Sequence, residues 1–329
     1  MTVDMPRNLP ERRSKVALKW AADSQDVRTV WIALVCNIVV AIAKIVAGLW
    51  TGSAAMLAEA AHSFADSINE VLLGISLQRS KKPADTDHPF GYGREQFLWA
   101  FLAAIASFLI GGCLSVGLAI RELSRHTTPH NQIASWIVLG IAFLADGVSW
   151  VQSFRQLRED AGKLKVSVWK YLRDTSDPVV RAIVVEDSAA LVGIVLAAGG
   201  LLASRMSGKS TPDAIASLLI GVLLAGTATG LALTLAGFLI GRSLPHKALG
   251  EIQKLMEASP AIASVVGVSA VYVGPGEAIV VAKITPASTT VEEFAAGMDA
   301  LDHRIREAIP LVADVFVDVT AQRPDNSPP

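Results

Sequence analysis

The apolar positions of this chain fall into long runs. Six stretches, at about 30–50, 53–77, 97–120, 133–154, 179–203 and 213–240, each hold roughly 20 residues or more, enough for a helix to cross a hydrocarbon layer of about 30 Å. They predict six membrane-spanning helices. Pro178 and Pro212 stand just ahead of the fifth and sixth, where proline suits a first helical turn. After Pro245 the periodicity changes to a helix (Lys247 to Ala258), an alternating strand (Val265 to Val273), a Gly-Pro-Gly turn at 274–276 and a second strand (Ala278 to Ile284). A helix (Val291 to Ala308) and a last strand (Ala313 to Thr320) follow. This order predicts a small α/β sandwich with its helices on one face. The expected organisation is an N-terminal arm (1–28), a six-helix transmembrane transport domain (29–244), an α/β dimerisation domain (245–320) and a disordered tail (321–329).

Composition sharpens this picture. At 52% hydrophobic against 18% charged residues, with a mean hydropathy of +0.45, the chain reads as an integral, multi-pass membrane protein. Cys36 and Cys113 both lie inside apolar runs, which excludes a disulfide scaffold and a cysteine-rich zinc module. A net charge of -1 excludes a basic nucleic-acid binder. From residue 245 onward 6 Lys/Arg face 11 Asp/Glu, so the last domain is acidic. Residues 1–28 lack an apolar stretch before a cleavage site and read as a cytoplasmic arm. That arm carries six Lys/Arg, the loop after the second run has Arg79, Lys81, Lys82 and Arg94, and six more fall between Arg155 and Arg173. The opposite loops have only Arg121, Arg125, Arg205 and Lys209. Both termini are therefore expected in the cytoplasm, in the inner membrane of a bacterium.

The second run carries Glu59, His62, Asp66, Asn69 and Glu70. His62, Asp66 and Glu70 are four residues apart, and with Glu59 they fall within an arc of about 80° on a helix. Each ionisable group costs at least about 2.5 to 3.5 kcal/mol near a bilayer centre, so the stripe faces protein or water. A buried network linking helices is one reading. A metal pathway is the better one, because no Lys or Arg shares the run and His and Asp at i and i+4 can close on one ion. Glu186 and Asp187 repeat the theme in the fifth run; adjacent residues diverge by about 100°, so both can edge one cavity. His62, Asp66, Asp187 and Glu186 would make an anionic site suited to a divalent cation. Asp146 suits either a proton path, with His62 and Glu59, or a hydrogen bond to Ser149 or Asn37. Lys44 suits either neutralising a stripe carboxylate or snorkelling to an interface. The segment from Arg158 to Arg173 suits an interfacial element or a charged loop.

The stretches AEAAHSFAD (58–66), DTDHPFGYGREQ (85–96), EDSAALVG (186–193) and PDAIASLLIG (212–221) together resemble the cation diffusion facilitators, and most of all the branch with the mitochondrial zinc exporter. The resemblance implies a homodimeric antiporter of divalent cations and protons, usually for zinc, with its transport site between the second and fifth spans. His62 and Asp66 correspond to the family's HxxxD pair and Asp187 to its fifth-span aspartate. The family's fifth-span histidine falls at Ile183, with Glu186 the nearest substitute. Exchanging nitrogen for oxygen moves preference from zinc towards harder ions such as manganese. A second metal site in the loop would involve Asp85 and His88, but a family histidine is replaced by Tyr92. The family's loop lysine corresponds to Arg94, whose partner would fall at Gly241, so that salt bridge is absent.

The function expected is export of a divalent metal, zinc first, from the cytoplasm in exchange for protons by alternating access across the lipid bilayer. No cofactor is implied. Manganese, cobalt, iron or nickel as cargo is the alternative, as is a membrane metal sensor that transports nothing. An intramembrane metallohydrolase ranks lower, because no HExxH helix occurs.

Overall fold

The computed structural model describes residues 26–124, 133–163, 166–174, 178–287 and 290–321. Residues 1–25 of the arm, Arg125 and the tail after 321 lie outside that set. The membrane part is a bundle of α1 (Asp26–Thr51), α2 (Ala54–Arg79), α3 (Glu95–Leu123), α4 (Ile133–Lys163), α6 (Pro178–Ser207) and α7 (Thr211–Ile240), with the short α5 (Val168–Asp174) between α4 and α6. Among the described residues, α3, α4, α6 and α7 are each long and apolar enough to cross a membrane, and α1 is apolar over Asn37–Thr51. Helix α2 holds the polar stripe and packs inside the same bundle, against α1, α3, α6 and α7. Helix α5, in the basic segment, leaves Trp169 exposed.

Local chemistry sets the turns. Gly52 adopts φ +70°, a conformation open to glycine, and Ser53 then caps α2 by accepting from Met56 N at 3.1 Å. Asp213, in the first turn of α7, reaches across. It accepts from Ser53 Oγ at 2.8 Å and from Ala55 N at 3.2 Å, satisfying a backbone donor that the helix itself leaves open. Residues Ser107–Cys113 of α3 form a π-helical stretch. Helix α7 ends at Gly241 with φ +118°, and a Cβ there would lie 3.3 Å from the Val271 side chain. The position opposite Arg94 in the family is thus built for glycine.

The C-terminal part matches the expected order of elements. It comprises α8 (His246–Glu257), β1 (Ile262–Gly274), β2 (Glu277–Pro286), α9 (Val291–Ala308) and β3 (Val312–Val319). The sheet order is β1-β2-β3, antiparallel between β1 and β2 and parallel between β2 and β3. The parallel pair is joined through α9, as a parallel connection requires. Thr290 and Glu293 form a capping box at the start of α9. Helices α8 and α9 cover one face through Ile252, Met256, Leu301 and Ile305, all buried against Val280 and Ile284. The other face leaves Val281 and its partner Phe316 about half exposed.

This core continues into the membrane helices. Phe97 of α3 stacks on Phe238 of α7 at 4.9 Å, and Phe238 meets Tyr272 of β1 edge-on at 5.4 Å. The α2–α3 loop is trapped at this junction: a Cβ on Gly93 would stand 2.8 Å from Val273 O and 3.0 Å from Gly274 Cα. Since both are backbone atoms, Gly93→Ala should lower the thermal midpoint in detergent, with about 1 to 3 kcal/mol of strain. An unchanged midpoint would show that the loop does not bear on the sheet.

Candidate metal centre

Burial along the α2 stripe changes from one end to the other. Glu59 and His62 are buried, whereas Asp66 and Glu70 are half-buried, towards the end of the bundle that carries the sheet. His62 Nδ1 lies 3.4 Å from Asp66 Oδ1. His62 Nε2 and Asp66 Oδ1 are buried without a hydrogen-bond partner. Leaving such an atom unsatisfied costs about 1 to 3 kcal/mol, and these are atoms that bind divalent metals. A helical i, i+4 pair places them together, as the spacing predicts.

Helix α6 supplies Glu186 and Asp187, which diverge. Glu186 Oε1 accepts from Asn69 Nδ2 of α2 at 2.5 Å and lies 3.4 Å from Ser107 Oγ, at the start of the π-helical stretch of α3. Asp187 Oδ2 instead accepts from Ser149 and Ser153 of α4 at 3.2 and 3.0 Å. Both acids remain within electrostatic reach of Asp66. Among the described residues no three His, Cys, Asp or Glu side chains close on a single point, so the structure brings His62 and Asp66 together but does not converge all four groups on one position. The Ile183 side chain lies outside the described set.

The other polar groups have definite partners. Lys44 is fully buried; its Nζ lies 3.2 Å from Glu59 Oε2 and donates to Ser63 Oγ at 2.7 Å. It neutralises a stripe carboxylate and does not snorkel. Asn37 Nδ2 donates to Glu70 Oε1 at 2.5 Å. Asn37 and Ser149, the partners considered for Asp146, thus bond to Glu70 and Asp187. The half-buried Asp146 projects its charge onto His62, Asp66 and Asp187. Sequence reasoning missed Ser107, Ser153 and Gly193. Serines are common in membrane helices and carry no period of their own. Gly193 matters because a Cβ there would collide with Glu59 Oε1, a contact between distant residues.

The loop residues form a turn of their own. Asp85 Oδ1 accepts from His88 N at 2.7 Å and Asp87 N at 3.1 Å, Tyr92 Oη donates to Asp85 Oδ2 at 2.7 Å, and the His88 ring lies on Tyr92 with centroids 4.1 Å apart. The Tyr92 hydroxyl, followed by the His88 amide, pulls the Asp85 carboxyl below its ordinary value. The same bond lifts the Tyr92 phenol above its own. Tyr92 therefore stays a protonated donor, and a protonated phenol is a poor metal ligand.

The model of the cation efflux transmembrane domain matches residues 30–240. The chain is 30% identical to metal tolerance protein C4 of Arabidopsis thaliana over 277 residues, which are 84% of this chain and 60% of that protein. It is 27% identical to the mitochondrial proton-coupled zinc antiporter SLC30A9 of Xenopus laevis over 231 residues, 70% of this chain and 41% of that one. With magnetosome protein MamM of Paramagnetospirillum magneticum it shares 33% identity over 126 residues, 38% of each chain. The matches thus span less than two thirds of each relative's length. The matched region holds the six-helix bundle and the stripe inside it, and the chain belongs to the cation efflux family, the cation diffusion facilitators, whose members are transporters and not enzymes.

Proposed function

We propose that the protein is a secondary transporter that exports a divalent metal, zinc first, from the cytoplasm in exchange for protons. The observation that carries the reading is a pair of buried atoms on α2, His62 Nε2 and Asp66 Oδ1, that have no hydrogen-bond partner, with Asp66 within electrostatic reach of both acids of α6 inside an apolar bundle. One imidazole and up to three carboxylates make a donor set of mixed nitrogen and oxygen, suited to zinc and also to manganese. The similarity to SLC30A9, a proton-coupled zinc antiporter, supports zinc and proton coupling. An arriving cation would draw the four groups together. Protons arriving from the far side would compete for the same lone pairs, and an imidazole with an ordinary pKa of about 6.5 suits that exchange. Both termini and the acidic domain face the cytoplasm in this reading, in a bacterial inner membrane. The half-exposed Val281 and Phe316, paired on the uncovered face of the sheet, offer an apolar surface on which a homodimer can form.

Flux decides between transport and sensing. Purified protein in liposomes should move zinc only when a pH gradient is imposed, with protons running the other way. Binding without flux would make the protein a sensor.

The two acids of α6 are separable by calorimetry. Asp187→Ala should weaken binding by about 100-fold or more, since the ion loses a charge where water replaces it poorly. Glu186 is turned towards α2, where it accepts from Asn69; as a ligand it should cost about as much when cut to alanine. Adding Ile183→His to Glu186→Ala should then restore zinc binding and move preference from manganese to zinc. If the double variant binds no better than Glu186→Ala alone, Glu186 does not stand in for the histidine.

A further inference from the structure

We propose that Lys44, Glu59 and Ser63, closed against Gly193, form the gate on the far side of the path, with the Lys44 ammonium as its moving part. The inference rests on the reading of His62 and Asp66 as the ion's stopping point. The far side is the end of the bundle away from the α/β domain. Three observations place a gate there.

The first is the direction of closure. Asp66 and Glu70 are half-buried, but Glu59 and Lys44, one to two turns further from the domain, have no exposure at all. A cation entering from the domain side reaches Asp66 and His62 and is stopped at Lys44. Beyond Lys44 the far end is tied across the helices, by Thr51 to Ser135 at 3.0 Å and by Ser53 to Asp213 at 2.8 Å.

The second is charge. An ammonium fixed in the path repels a divalent cation at short range, so the ion cannot pass while Lys44 holds its place. The charges facing this point are Glu59, His62, Asp66 and Asp146. Lys44 holds only Oε2 of Glu59; Oε1 is buried and unpartnered. That free oxygen is a ready next ligand for an ion leaving Asp66.

The third is where Lys44 can go. Its second partner, Ser63, lies three residues before Asp66, and its charge already reaches both His62 and Asp66. Lys44 can thus exchange Glu59 for Asp66 as the metal makes the opposite move, a swap of one cation for another that leaves no carboxylate bare. Gly193 permits it, because the Glu59 carboxylate rests where any side chain on α6 would stand.

The test is thiol accessibility, which needs no transport. Asp66→Cys, in a background with Cys36→Ser and Cys113→Ser, is reconstituted in vesicles, and a membrane-impermeant maleimide is added to either face. With Lys44 and Glu59 intact, labelling from the domain face should be at least about 10-fold faster than from the far face. Lys44→Met combined with Glu59→Gln removes both charges together and should bring the far-face rate to within about 3-fold of the domain-face rate. Gly193→Ala removes no charge but displaces the Glu59 carboxylate, so it should raise far-face labelling too. Adding Glu59→Asp, one methylene shorter, should reverse that rise. If the charge-free pair aggregates, the Gly193→Ala arm decides. A far-face rate that stays low in monodisperse variants overturns the gate. Zinc flux by the unaltered protein judges the transport reading separately, so either idea can fail without the other.

Discussion

An ionisable side chain withdrawn from water must be neutralised or hydrogen-bonded, and the arrangement of this bundle follows from that demand. Helix α2 brings four such groups into an apolar environment. Losing one partner of a buried ion pair costs about 3 to 5 kcal/mol, so the neighbours are constrained in turn. Helix α1 must place Lys44 against Glu59 and Asn37 against Glu70; α3 must turn Ser107, and α4 Ser149 and Ser153, towards the acids of α6. Helices α1, α3, α4 and α6 each make at least one of these contacts. The buried atoms left without a hydrogen-bond partner in the described part of the bundle, Glu59 Oε1, His62 Nε2, Asp66 Oδ1, Asn69 Oδ1 and Glu70 Oε2, all lie along α2.

Such contacts need close helices, and small residues supply the closeness. A Cβ on Gly112 of α3 would stand 2.9 Å from the Ala225 Cβ of α7, and one on Gly221 would stand 2.8 Å from Val116 N. With lipid as apolar as leucine, helices gain by dense packing and not by excluding lipid. The π-helical stretch Ser107–Cys113 lies in this tight contact. Its extra residue per turn re-aims the side chains on either side of it, which is how such stretches come to lie near functional groups. Ser107 faces Asn69 and Glu186 at its start, and Gly111 and Gly112 face α7 near its end.

The fold was legible because length and apolarity alone specify a spanning helix, and because the strand and turn signals after Pro245 agreed with one another. The stripe was legible for the same reason: its period of four belongs to a single helix. Relations between helices were not legible. Lys44 had two equally good readings until α1 was packed on α2, and Asp146 was offered partners that other acids claim. Serine in a helix can satisfy its hydroxyl on its own backbone, as Ser67 does with Ser63 O, so sequence gives no reason to send Ser153 across to Asp187. Gly193 is silent alone; its meaning is a carboxylate arriving from residue 59.

The buried cores divide the molecule in a way that bears on movement. One joins Phe97, Ala100 and Ala104 of α3 and Leu231, Leu235 and Phe238 of α7 to the α/β domain. The other joins Ala47 of α1, Met56 of α2, Leu139 of α4 and Ile194, Ala197 and Leu201 of α6 near the far end, with Ile220 and Leu224 of α7. The stripe of α2 runs between them; α7 gives fully buried residues to both, and Leu73 of α2 and Val185 of α6 pack against the first core as well. Packed cores resist continuous deformation and shift as units. In the proposed transport cycle, exposing the site to the other side of the membrane asks the second unit to move against the first, with α7 shared by both. Two kinds of contact cross between the units: Leu73 and Val185 pack as partly buried apolar side chains, whereas Asn69, Glu186 and Ser107 meet through hydrogen bonds. Hydrogen bonds re-form at small cost after such a shift, so in the proposed cycle the polar groups beside the ion would also ease the motion.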